Sequence, residues 1–448
     1  MGMESRSLGR QLGLPFEPGH GSDGAAARVI NLPLKAERTT FKGGLSEPVH
    51  RWFRLTPSFG PELVREMLDS TAASTDSVVL DPYAGAGTTA IECQRLGIIS
   101  CGFEINPFLH WVAKTSLDWS LSPHTVERAR FEVQEVFEDS VTRAPRDIER
   151  LDQPIPPIHN PFRWWRKDVL RELLLLKAAV AGLPYQPQVK DFFRLALAAV
   201  LVPQLTNVTL GRLQLHFIDR SNDRIMVWGE FESHVGRMIE DLRKVQAAGW
   251  KPCSEVFLAD STDLRGMRLP RLVDRVITSP PYPNRYSYVW NTRPHLYFLD
   301  FFNRPRQASE LDLKTAGGTW GTATSSLAKG RVEPACQAVG DVVGKLADEI
   351  RIRDNLMANY LVKYFNALAR QIVEMDRLLD SHAQLAYVVG CSRLKGVYVE
   401  TDILLAELLE RLALGWSLVQ IRRLRRRHSG INLHESVVYA TRSGKGVS

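Results

Sequence analysis

The sequence predicts an α/β protein on a mostly parallel sheet, interrupted by one mainly helical and one loop-rich insertion. Three observations predict it. Residues 77–80 form an apolar run stopped at Asp81-Pro82, and a glycine-containing turn then opens a stretch of helical composition over 88–96. A second apolar run, 98–103, ends at Glu104 and leads into helical composition over 106–119. The same rhythm resumes far downstream at 254–258 and 275–278. Strand–turn–helix–strand succession is the repeating unit of a parallel sheet with right-handed crossovers.

The elements follow in chain order. Residues 1–45 are rich in Gly, Ser and Pro and read as a flexible extension, with one strand-like run at 29–34. Residues 46–119 form the first part of the core, its first helix stopping at Gly97, a suitable residue for the left-handed turn that ends a helix. Residues 120–250 are mostly helical: 169–181 and 189–202 have helix-former composition, and 231–248 is amphipathic at the 3.6 period. Residues 251–302 return to the core. The stretch 303–350, with Gly317-Gly318 and Ser325-Ser326, reads as a long loop. Residues 351–448 complete the core with a helix over 355–379, a strand over 384–389, a helix over 401–412 and a final antiparallel pair, 417–421 with 436–440.

Composition narrows the functional classes. The 448 residues carry 57 Lys+Arg against 50 Asp+Glu, a net charge of +7, which favours a polyanionic partner. With 44% hydrophobic and 24% charged residues the chain is neither disordered nor collagen-like. Its apolar stretches fall short of the ~20 residues a membrane span needs. The start lacks an apolar signal segment, so the expected compartment is the cytoplasm, with no membrane partner. The five cysteines are scattered without a C-x-x-C pair, which fits neither a zinc site nor a disulfide framework. His110, His216, His382 and His434 stand alone.

Two segments carry chemistry. Asp81-Pro82-Tyr83-Ala84-Gly85-Ala86-Gly87-Thr88-Thr89 lies between a strand and a helix. Its glycines let the backbone turn tightly and approach a ligand, and the helix N-terminus offers unpaired N–H groups. Glu104, at the tip of the next strand, can accept both hydroxyls of a ribose. The second segment, Ser279-Pro280-Pro281-Tyr282, ends a strand with two prolines, which remove N–H donors and leave carbonyls free to hold a planar amine. Read alone, each is also compatible with an ordinary turn.

Together the two segments resemble the DNA amino-methyltransferases, which move a methyl group from S-adenosylmethionine to the exocyclic amine of cytosine or adenine. The family's D-P-F-x-G-x-G-T-T-like loop stands at 81–89, with Tyr83 where Phe is usual, and its [DNS]-P-P-[YF] tetrapeptide at 279–282. His50-Arg51-Trp52-Phe53, with residues 57–64, resembles the family's upstream cofactor motif. Ala259-Asp260-Ser261 resembles its acidic motif that reads the cofactor adenine. The resemblance implies a Rossmann-like class I methyltransferase sheet and S-adenosyl-L-methionine as cofactor, without a metal. It implies Ser279, Pro280, Pro281 and Tyr282 as the catalytic set. Phe59, Asp81, Tyr83, Gly85, Gly87, Thr88, Thr89, Glu104, Ile105, Asp260 and Ser261 form the implied cofactor set.

The implied substrate is a flipped base in double-stranded DNA, because a base inside a duplex cannot reach such a crevice. Serine at the first tetrapeptide position is common in cytosine-N4 enzymes of the family, which favours cytosine over adenine N6. The implied setting is restriction-modification, with a cognate endonuclease or other defence-system subunits as partners. Two other readings stand beside this one: an RNA guanine-N2 methyltransferase and a catalytically silent nucleic-acid-binding module. Asn284, Arg285 and Arg293, just past the tetrapeptide, and the run Arg422, Arg423, Arg425, Arg426, Arg427 are the candidate nucleic-acid contacts. Target recognition is assigned to the helical insertion, the 303–350 stretch, or both.

Overall fold

The computed structural model describes residues 28–211, 214–318, 322–425 and 433–443. Its strands are β1 (Val29–Asn31), β2 (Val78–Asp81), β3 (Ile99–Glu104), β4 (Val208–Leu210), β5 (Leu215–Phe217), β6 (Ser254–Leu258), β7 (Val273–Thr278), β8 (Leu379–Gly390), β9 (Ser392–Leu394), β10 (Val397–Val399), β11 (Trp416–Arg425) and β12 (His434–Arg442). Eight of them form one sheet in the order β1-β11-β12-β8-β7-β2-β3-β6. From β8 to β6 every pairing is parallel, and β12 runs antiparallel to both β8 and β11. All four residues of β2 are buried, as a central parallel strand covered on both faces requires. The strand order reverses between β2 and β7, and the crevice beyond the carboxyl ends of strands at such a switch point is where α/β sheets bind ligands.

Local chemistry sets the helices around that crevice. The helix Thr88–Leu96 begins after Gly87 at φ 90° and ends on Gly97 at φ 72°, whose N–H returns to the Cys93 and Gln94 carbonyls. The helix Pro107–Ser116 has Pro at its first turn, and the Asn106 side chain accepts from the Phe108 and Leu109 N–H groups.

The helical insertion shares a core with the sheet. Its helices Pro123–Arg143, Lys167–Gly182, Pro187–Leu201 and Val227–Ala247 bury side chains in one apolar cluster with Trp52, Phe53, Phe108 and Leu296. One carboxylate pins the two together. Asp241, fully buried, accepts from Val49 N at 3.1 Å, Arg51 Nε at 2.9 Å and Trp52 Nε1 at 3.1 Å, while His234 Nε2 meets the Trp52 carbonyl at 2.9 Å. Asp241→Ala leaves those donors unmatched, and loss of one partner from a buried ion pair costs about 3–5 kcal/mol. A clearly lowered Tm in thermal unfolding is the expected result; an unchanged Tm contradicts it.

Three expectations need correction. Residues 303–350 are not loop-rich: they carry the helices Gln307–Lys314, Thr322–Ala328 and Gln337–Arg351. The last buries Val339, Val342, Val343 and Ile350 at helical spacing, a stripe that the surrounding small and polar residues mask in the sequence. The part of the flexible extension that is described is structured: β1 pairs in parallel with β11, and a short helix, Ala36–Thr39, follows. Residues 1–27 lie outside the described part.

The third correction concerns the described part of the basic run, 422–425, which is the end of strand β11 rather than an open clamp. Arg422 is 7% exposed, lies over the Tyr439 ring at 4.6 Å and donates to Ser70 Oγ at 2.9 Å, with Glu66 at 3.8 Å. Arg423 donates to Asp402 at 2.7 Å and Glu400 at 2.8 Å. Both guanidiniums are consumed by the fold, so neither serves as a phosphate contact. Arg425 ends β11, and Arg426 and Arg427 lie outside the described residues.

Candidate active site

The glycine loop and the double-proline corner, remote in the chain, meet at one carboxylate. Thr278, the residue before Ser279, donates to Asp81 Oδ1 at 2.6 Å; Thr89 Oγ1 donates to Oδ2 at 2.7 Å and Tyr83 N to Oδ1 at 3.0 Å. Burial pushes the Asp81 carboxyl up to about 6, against these three donors, which pull it down. Asp81 therefore acts beneath the loop, binding β2 to β7.

Above it opens a cleft whose empty space, counted out to open solvent, is about 860 Å³. Phe59, Tyr83, Gly85, Thr88, Glu104, Ile105, Asp260 and Ser261 line it, together with Ser279 and Pro281. Asp81, Gly87, Thr89 and Pro280 do not line it, which corrects their expected direct contact. Asp81 and Thr89 are spent on each other, and Pro280 is buried. Gly87 turns the chain into the helix at a left-handed φ, where an added Cβ would come within 3.1 Å of Ala113 Cβ. Tyr282 also stands outside the lining; its hydroxyl donates to Glu435 Oε1 at 2.7 Å.

Glu104 closes the loop from the neighbouring strand. Its Oε2 accepts from Gly85 N at 2.9 Å and its Oε1 from Asn106 N at 2.7 Å. Each oxygen keeps a lone pair for a further donor. Burial, reinforced by the Asp81 charge, pushes this carboxyl up to about 7 although the backbone N–H groups pull the other way. Burial likewise raises the Tyr83 phenol, so it remains a protonated donor.

The upstream segment divides its work. His50 Nε2 meets Glu92 at 2.8 Å, and Arg51 and Trp52 go to Asp241, so the expected contact of 50–53 with the cofactor is replaced by anchoring. Leu55, Pro57, Ser58 and Phe59 are the residues of this segment that reach the cavity.

Sequence reasoning missed one wall. Lys314, Thr315 and Ala316, from the second insertion, line the cavity, and Gly317 rests on the Pro281 corner, where an added Cβ would lie 3.2 Å from Pro281 Cβ. Only the Gly317-Gly318 pair hinted at this close approach. Ser287, which caps the helix Tyr288–Phe298, donates to buried Asp312 and so ties that insertion to the chain leaving the tetrapeptide. Tyr288 OH donates to the Pro57 carbonyl at 3.3 Å, and Asn106 Nδ2 to Thr292 Oγ1 at 3.0 Å, closing the cavity between segments far apart in sequence.

The candidate nucleic-acid contacts beside the tetrapeptide differ in kind. Asn284 Oδ1 accepts from Tyr286 N at 3.1 Å, a local turn. Arg285 sits at φ 63° with its N–H on Tyr360 Oη at 3.1 Å. Arg293 stacks over Trp290 at 4.4 Å and lies 5.9 Å from Trp164. Among the described residues no carboxylate pairs with Arg285 or Arg293, whereas Arg422 and Arg423 are both paired. Among the described residues, too, no group of three or more His, Cys, Asp or Glu is arranged to hold a metal, and no helix is long and apolar enough to cross a membrane.

Read along the sheet, β6-β3-β2-β7-β8-β12-β11 with β12 reversed is the strand order of a Rossmann-like methyltransferase, and the cavity sits at its switch point. Within that class, residues 42–115 match the family described as DNA methylase, and the chain is similar to DNA amino-methyltransferases acting at N4 or N6. The chain is similar to the type II methyltransferase M.BsoBI of Geobacillus stearothermophilus, 24% identical over 289 residues, 58% of this chain and 54% of that protein. It thus spans about half the length of that relative. It is also similar to the type II methyltransferases M.AvaI of Nostoc sp., 21% identical over 424 residues, and M.MvaI of Kocuria varians, 19% identical over 386 residues. These matches cover 86% and 82% of this chain, respectively, and 82% of each relative.

Proposed function

We propose that this protein methylates the exocyclic amine of a flipped base in double-stranded DNA, cytosine N4, with S-adenosylmethionine as donor. The observation that carries the reading is the single cavity lined at once by Glu104, Asp260 and the glycine loop and by Ser279 and Pro281. Gly85, at a left-handed φ of 54°, brings bare backbone to its wall. The residues fit the cofactor: Glu104 for the ribose hydroxyls, Asp260 and Ser261 for the adenine, and residues 55–59 for the methionine end. When bound, S-adenosylmethionine supplies a sulfonium methyl that needs no further activation.

The chain's own task is to prepare the amine. Cytosine N4 is a poor nucleophile because its lone pair is delocalised into the ring. Ser279 Oγ and the Ser279 carbonyl accept the amine hydrogens, favour a pyramidal nitrogen and hold it in line, which is catalysis by position and electrostatics. Tyr282 supplies the stacking surface. Ser279, a weaker proton acceptor than Asp, favours the cytosine assignment by the family resemblance. Incubation with labelled S-adenosylmethionine and separate DNA and RNA pools, followed by mass spectrometry of the nucleosides, tests it. N4-methylcytosine in DNA is expected. N6-methyladenine, or label in RNA, overturns the base or substrate assignment. The proposed setting is restriction-modification with a cognate endonuclease.

Arg293 is the proposed phosphate contact beside this pocket. Burial lowers its pKa, yet a guanidinium stays charged at neutral pH, so a half-buried cation without a carboxylate partner favours an external anion. Arg293→Gln should weaken DNA binding and reduce the slope of log K against log salt by about 1, with cofactor affinity unchanged. Titrations at several salt concentrations check this; an unchanged slope removes Arg293 from the interface.

A further inference from the structure

We propose that Gly390 and Glu435 are positioning residues that fix the plane of the Tyr282 ring, and through it the extruded base; this rests on the DNA-methyltransferase reading above. The two residues come from different strands and are direct partners in the β12–β8 ladder, Glu435 opposite Gly390. Cross-strand partners present side chains to the same face. On this face one partner contributes nothing and the other a carboxylate. The Tyr282 ring fills the vacancy: a Cβ at 390 would lie 2.5 Å from Tyr282 Cδ2 and 2.7 Å from Cε2, closer than carbon atoms approach. Gly390 has no positive φ to explain its identity, so room for the ring is what requires glycine. At the far end of the ring the hydroxyl donates to Glu435 Oε1 at 2.7 Å, and Glu435 is only 5% exposed.

The tetrapeptide backbone is held by other groups. The Tyr282 carbonyl accepts from Asn284 N at 2.8 Å and Tyr360 Oη at 3.4 Å, and the Pro283 carbonyl accepts from Ser392 Oγ at 2.8 Å. What Glu435 adds is therefore orientation of the ring about its own side-chain torsions. A ring pressed on bare backbone and tied at its tip offers a flipped base a surface already in place, and such preorganisation acts on turnover rather than on cofactor binding.

The test is a double-mutant cycle on kcat with duplex DNA, using Tyr282→Phe, Glu435→Ala, Glu435→Gln and the double Tyr282→Phe/Glu435→Ala. Calorimetric S-adenosylmethionine affinity and thermal unfolding are measured for each. Tyr282→Phe and Glu435→Ala should each lower kcat about 5–10-fold, the double variant no further than the worse single, and cofactor affinity should hold. Glu435→Gln, whose amide oxygen still accepts from the phenol, should keep most of the activity. If Glu435→Ala lowers kcat as much in the Tyr282→Phe background as in the wild type, or not at all, the proposal is overturned. Ring-labelled tyrosine NMR reads the same contact without turnover: Glu435→Ala should loosen the Tyr282 ring, and an unchanged signal overturns the proposal. A wild-type protein that methylates no DNA but shows the NMR change refutes the functional reading alone.

Discussion

Tyr282→Ala is expected to lower single-turnover methyl transfer by about 5- to 150-fold while leaving S-adenosylmethionine affinity within twofold. The magnitude is that of one base–aromatic stack, about 1–3 kcal/mol. The separation of the two effects follows from geometry. Tyr282 is outside the cavity lined by Glu104 and Asp260, bound instead to Gly390 and Glu435 on the β8–β12 side. Removing its ring leaves the Asp81–Thr278 link and the glycine loop untouched. A mutation that lowers kcat without moving ligand affinity has removed an interaction made on the way to the transition state. Rapid-quench transfer to a labelled duplex, with calorimetry for the cofactor, gives both numbers. Turnover within twofold of wild type means the base is not stacked on this ring, and a matching loss of cofactor affinity means the corner had collapsed.

What the sequence made legible was punctuated by glycine and proline. The helix Thr88–Leu96 and the strand Ser254–Leu258 have the ends their composition implies, the first because Gly87 and Gly97 adopt left-handed φ at its two boundaries. The turns at 81–89 and 279–282 were legible for the same reason, since both depend on backbone special cases. Direction was not. Asp81 belongs to the loop motif, but its side chain turns beneath the loop to Thr278, a contact that no local pattern encodes. The arginines of β11 failed by the same route: Arg422 finds Ser70 and Arg423 finds Asp402, partners set by the fold rather than by neighbours in the chain. The wall at 314–316 was illegible because it lies at the end of the short helix Gln307–Lys314, which buries only Ala308 and Asp312, and because the fit of Gly317 against Pro281 is tertiary.

Glu104 makes a sharper demand, because its protonation and ligand binding are linked. Burial holds its carboxyl near 7 in the free protein, so a large fraction is neutral at pH 7. Ribose hydroxyls donate to the ionised form, and a nearby sulfonium favours it further, so binding should lower this pKa and release a proton. Affinity for S-adenosylmethionine should therefore fall as pH drops through about 7, weakening roughly tenfold between pH 8 and pH 6. Glu104→Gln should bind more weakly at pH 8 and lose most of that dependence. Calorimetry at pH 7 in buffers of different ionisation enthalpy reads the released proton directly, and a buffer-independent heat sinks the assignment. The free protein carries the opposite sign. A carboxyl raised from its ordinary 4.5 to about 7 favours the fold fully below about 4.5, and that contribution is lost as pH rises through about 7. In ligand-free melts Glu104→Gln should thus gain on the wild type as pH increases from 5 to 8, while in saturating S-adenosylmethionine the order reverses. One substitution that stabilises the empty protein and weakens the complex separates a carboxylate kept for a ligand from one kept for the fold.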